Sequence, residues 1–126
     1  MPPFESSTED TPMTPEAFVA RLGSDDSIDF EDTMAVINEH FDYAPCAFNN
    51  GEIFNEAGQN EGSCKIFGFG KLMGLDEAQT LACFGRFYRD VLATPEGNDH
   101  SNIRNFMQSG WAGIQFEGES LRRKAD

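Results

Sequence analysis

Three cysteines, two histidines and a surplus of carboxylates are the groups through which this 126-residue chain could do chemistry. Cys46, Cys64 and Cys83 contain no CxxC or CxxxC pair, and His40 and His100 take part in no HxxxH, HxH or HExxH spacing. The sequence therefore predicts neither a disulfide framework nor a metal site, and it calls for no cofactor. Cys64 follows Ser63, which reads as a helix cap, so the positive end of a helix dipole would act on its thiol and lower its pKa. His100 opens another helix and is the base such a nucleophile needs. The structural counterpart is a small thiol buried in a core. Glu56 and Asp99 could divide acid and base work, although Asp99 also reads as an N-cap. His40 stands at a helix end, where a cation is favoured by the dipole. GFGKLMG holds glycines and a lysine without the GxxxxGK[ST] order, which rules out a phosphate loop of that kind.

The stretch NEAGQNEGSC concentrates amides, carboxylates and a thiol between two apolar segments. A hairpin exit needs only a few turn residues, yet eight mostly polar ones, Asn55 to Gly62, precede Ser63. Two readings follow. In one, the amides satisfy buried backbone groups where the chain crosses from sheet to helix. In the other they floor a cleft: Glu56, Gln59 and Asn60, with Cys64 beside them, face Asp99, His100 and Arg104, and Trp111 supplies an apolar wall.

These groups are positioned by elements that the apolar spacing reveals. Thr14-Pro15-Glu16 is an N-cap followed by proline at the first helical position, and Phe18, Val19 and Leu22 form a short stripe ended by Gly23. Asp29 and Asp32 open a second helix with Phe30, Met34, Ile37 and Phe41 on its inner face. Asn49-Asn50-Gly51, between Phe48 and Ile53, signals a β-hairpin, and Pro45 restricts its strand to an edge. A helix capped by Ser63 carries Ile66, Phe67, Phe69, Leu72 and Met73 and stops at Gly74; its internal Gly68 and Gly70 allow a close approach. Asp76 and Gln79 form a capping-box variant that starts a long helix with Leu81, Phe84, Tyr88 and Val91 on one face. Asp99 caps another, with Ile103, Phe106, Met107, Gly110 and Trp111 in one stripe. Ala112, Ile114 and Phe116 then alternate with polar residues or glycine as a strand does.

The sum is an α+β fold, a single mostly helical domain of about five helices with a small antiparallel sheet built from the hairpin and a C-terminal strand. Residues 1–13 read as a disordered acidic tail, 14–118 as the domain, and 119–126, including SLRRKAD, as a solvated tail. The net charge of −13 repels nucleic acid and anionic lipid surfaces, which leaves an unidentified protein or small molecule as the partner. With no apolar run near the ~20 residues of a membrane span and no signal-peptide pattern, a soluble protein of a reducing compartment is expected.

Two long blocks, NGEIFNEAGQNEGSCKIFGFGKLMGLDEAQTLACFGRFYRDVL and PEGNDHSNIRNFMQSGWAGIQFEG, resemble the HopJ (HopPmaJ-like) type III effector family, over about Thr14 to Gly118. The resemblance implies a small protein of the bacterial cytoplasm, named for delivery into plant cells by type III secretion, and it transfers no catalytic residue. Export signals of that kind are unfolded, Ser-rich and poor in acid, whereas MPPFESSTEDTP places Glu5, Glu9 and Asp10 early. Three readings thus stand beside one another: a non-enzymatic binding or interaction protein, a small hydrolase or transferase using Cys64 or Glu56 with His100, and a housekeeping cytoplasmic protein that is not secreted.

Overall fold

Thr14 caps the first helix, α1 (Pro15–Arg21), by accepting from the Ala17 amide at 3.1 Å, in a computed structural model that describes residues 14–22 and 28–124. The 1–13 segment and the Gly23 stop lie outside the described residues. Helix α2 (Phe30–His40) opens on a reciprocal capping box between Asp29 and Asp32 and runs directly into β1 (Phe41–Tyr43). The hairpin follows as β2 (Phe48–Asn50) and β3 (Ile53–Asn55). Its turn differs from the expected one. Asn50 pairs with Ile53, so the two turn residues are Gly51 and Glu52; Gly51 alone has positive φ, at 61°, and Asn50 becomes a buried strand residue.

The central element is α3 (Glu61–Met73), whose run from Ile66 to Gly70 is buried on every side. It starts two residues before the predicted cap: Asn60 is the N-cap, in the left-handed region at φ 50°, and Ser63 sits inside the first turn. Gly74 ends it in the left-handed conformation, as glycine at that place does. Phe67 meets the rings of Phe48, Phe84 and Phe106 at 5.9, 5.7 and 4.9 Å, while Phe69 meets Phe18 and Phe41 at 6.0 and 5.6 Å. The two internal glycines seat neighbours. A Cβ on Gly68 would fall 2.5 Å from Ser120 Oγ, and one on Gly70 would fall 2.8 Å from Thr80 Oγ1 and 2.9 Å from the Trp111 ring.

The long helix expected from Asp76 is two. The Asp76–Gln79 box opens α4 (Glu77–Ala82), the chain breaks at Gly85, and α5 (Arg86–Ala93) continues. Tertiary bonds fix both sides of the break. Thr33 donates its hydroxyl to the Cys83 carbonyl at 2.7 Å, and Asp29 Oδ1, already bonded to the Phe30 amide, accepts the Arg86 amide at 2.8 Å. One carboxylate thereby caps two helices. Helix α6 (Ser101–Ser109) is capped by His100 in the left-handed region rather than by Asp99, and it passes through a short 3-10 turn (Gly110–Gly113) into β4 (Ile114–Phe116).

The sheet has the order β3-β2-β4, all antiparallel, with Phe48 opposite Phe116 and Asn50 opposite Ile114. Residues 119–124 depart from the solvated tail expected of 119–126. Leu121–Arg123 form β5, antiparallel to β1, and Leu121 is buried against Gly68. The described residues thus form an α+β domain of six helices and two small sheets around α3.

Candidate functional site

A hairpin that buries amides must give each a partner, since an unsatisfied buried polar group costs ~1–3 kcal/mol. Asn50, Asn55 and Asn102 are all at most 5 % exposed, and their amides bond one another, with Asn50 Oδ1 alone of them left without a partner among the described residues. Asn50 Nδ2 donates to the Asn102 carbonyl at 2.8 Å, and Asn55 and Asn102 exchange side-chain bonds at 3.2 and 3.0 Å. Asn60 Nδ2 donates to Asn55 Oδ1 at 2.7 Å. Asn105 adds a bond to the Asn50 carbonyl from the next turn of α6. The hairpin therefore holds the start of α3 through Asn60 and the start of α6 through Asn102.

The consequence is a cavity of about 370 Å³ between the two helix starts. Asn60, Gly62 and Ser63 line it from α3, and His100, Ser101, Asn102 and Ile103 from α6. Phe30, Phe84 and Phe87 form its apolar wall. Asn60 and His100, at φ 50° and 51°, are the two non-glycine residues with positive φ among the described residues, and both stand on this cavity. Such backbone costs of order 1 kcal/mol for each residue and gathers at functional sites. Neither cap side chain bonds its helix: Asn60 is turned to Asn55, and the His100 ring lies 5.4 Å from that of Phe87. The first-turn N–H groups of both helices are left without the side-chain caps that usually satisfy them.

His100 Nε2 is 3.8 Å from Asp90 Oδ2 and 3.9 Å from Asp99 Oδ2. The hydrogen bond from Arg104 holds the Asp99 carboxyl below its ordinary range. Arg104 also bonds the Thr94 and Asp99 carbonyls at 2.7 and 2.6 Å, so its guanidinium fastens the α5–α6 loop.

Of the residues expected at a cleft, Asn60 and His100 meet on one cavity and the others do not join them there. Glu56 and Gln59 are exposed and bond each other: the Glu56 amide donates to Gln59 Oε1 at 3.0 Å, closing a local turn. Cys64 is buried, its sulfur 3.8 Å from the Cys46 carbonyl oxygen. Burial pushes its thiol pKa up, against the lowering expected from the helix dipole. Trp111 is on another face, with its Nε1 donating to the Leu75 carbonyl at 2.9 Å. Among the described residues no hydrogen bond joins His100 to a hydroxyl or thiol. What the arrangement offers is a row of donors at one end of a hollow and three aromatic rings at the other. Phe30 and Phe84 read in the sequence only as core positions of two helices, and nothing in their spacing marks them as a wall.

The family model described as HopJ type III effector protein matches residues 15–121. Among solved structures, the crystal structure of the unknown-function protein VPA0580 is similar, with a TM-score of 0.87 and 56% sequence identity over 90% of this chain and 97% of that one. No curated protein matches the sequence.

Proposed function

The chain belongs to the HopJ type III effector protein family, and from that premise we propose that it works as a non-enzymatic binding protein whose ligand enters the cavity between the starts of α3 and α6. One observation carries this reading. The two non-glycine left-handed residues of the described chain both stand on that cavity, and they aim two helix N-termini at it without capping them. Helix N-termini favour a hydrogen-bond-accepting, anionic head, and Phe30, Phe84 and Phe87 favour an apolar body. An aromatic carboxylate is the simplest molecule with both. The experiment is calorimetric titration with a set of aromatic carboxylates, repeated on Ser101→Phe, which fills the mouth. Binding to the native protein that is lost in the variant supports the reading; no binding, or binding indifferent to the substitution, overturns it.

The family's description supports delivery through a type III system as the setting for such binding. A reporter fused to the full chain should leave the bacterium only when that system is intact. Retention in both strains would return the protein to a housekeeping role.

A further inference from the structure

Strand β4 closes the three-stranded sheet on one side and, among the described residues, is paired only with β2. The Glu117 amide donates to the Ala47 carbonyl and the Gly51 amide to the Gly113 carbonyl, so residues 113, 115 and 117 turn their backbone groups toward the hairpin. By the alternation of a strand, the N–H and C=O of Phe116 and the C=O of Ile114 face the other way. Beside that outer edge lie two hollows of about 340 and 350 Å³ that share Lys71 of α3. Leu72, half exposed, and Phe116 line one; Trp111 and Ile114 line the other.

Lys71 is unusual in this chain. Lys65 and Lys124 bond Asn38 and five arginines meet a carboxylate, whereas Lys71 makes neither an ion pair nor a hydrogen bond among the described residues. Its ammonium lies 5.6 Å from the centre of the Phe116 ring. Glu119, at the rim, is taken by Arg122 at 3.0 Å.

The geometry points to a docking surface for an extended, acidic segment of a partner protein, which adds to the sheet beside β4, sets apolar side chains into the two hollows and brings a carboxylate to Lys71. An edge strand, alternate apolar pockets and one unpaired cation are the complement of a strand with apolar and acidic side chains. This surface is separate from the cavity between α3 and α6.

Trp111 is the only tryptophan and reports on the surface directly. A blocked peptide of alternating valine and glutamate, titrated into the full chain, should change its emission saturably. The valine–lysine counterpart, and the glutamate peptide on Lys71→Glu, should bind at least tenfold more weakly. No saturable change, or equal binding in either control, overturns the inference. Sedimentation of the peptide-free protein adds a further arm: a dimer dispersed by Lys71→Glu would assign the edge to a second copy instead, and a monomer is the result expected.

Discussion

At the scale of single residues, the cysteines are the sharpest test of a reactive site against a packed interior. Cys64 and Cys83 are buried, and desolvation raises both thiols, Cys83 to about 12. A thiol kept protonated by burial is a poor nucleophile. Mass-spectrometric mapping after brief treatment of the native protein with a thiol reagent should find Cys64 and Cys83 unmodified, with any label on half-buried Cys46. The same shifts fix a sign in alkali. Because the folded pKa values lie above the unfolded thiol value of ~8.5, the contribution is complete below that pH and is lost as pH rises toward 12. Denaturant midpoints should therefore fall between about pH 9 and 12, and replacing Cys83 with Ala should flatten that fall. Rapid labelling of Cys64 at neutral pH would restore the nucleophilic reading.

At the scale of elements, two junctions decide the architecture. Gly85 has φ 59° and ψ −127°, and a Cβ there would lie 2.4 Å from Asp29 Oδ1 and 2.5 Å from the Phe30 nitrogen. Gly85→Ala should cost roughly 3 kcal/mol in urea unfolding, because neither the backbone nor the α2 cap can give way. Asn102 is the other junction. Asn102→Ala removes an acceptor shared by Asn50 and Asn55 together with the donor that Asn55 uses, and it should cost roughly 2–4 kcal/mol. It should also loosen the α6 start, seen as faster amide exchange at Ser101 and Ile103. Much of this architecture was legible before any coordinates. The caps at Thr14, Asp29 and Asp76 and the stop at Gly74 are local chemistry, and the periodicity of Ile66 to Met73 made a helix of a glycine-containing run. The break at Gly85 was not, since its cause is a second bond made by Asp29, to the Arg86 amide 57 residues further on. Nor was β5: of the described residues of SLRRKAD only Leu121 is apolar and buried, and Leu121–Arg123 become a strand because β1 offers them an edge. For the site, the polar run and the opening of the last helix pointed to Asn60 and His100. Trp111 was misplaced as their wall because Gly70, by lacking a side chain, seats its ring toward the C-terminal end of α3.

At the scale of the whole molecule, charge governs the response to solvent. Hydrogen bonds from Arg123 take Glu16 down to about 2, the Arg86 amide lowers Asp29, its guanidinium lowers Glu31, and Arg104 lowers Asp99. Folded values below the unfolded ones mean stability that is present above ~pH 4 and lost as pH falls through the folded range, so acid unfolding should develop between about pH 4 and 2. Added salt works in two directions, screening both these exposed pairs and the self-repulsion of a net charge of −13. Exposed pairs contribute little, so the repulsion prevails and the melting temperature should rise from low salt to about 0.5 M.

The asparagine-linked hairpin brings two uncapped helix starts to a shared cavity, and the proposed function requires them to act there on one ligand. Amide chemical shifts during titration with an aromatic carboxylate test it most directly. The account predicts that Gly62 and Ser63 move together with Ser101 and Asn102 along a single saturation curve. Movement at one helix start alone, or at two unequal midpoints, would contradict it.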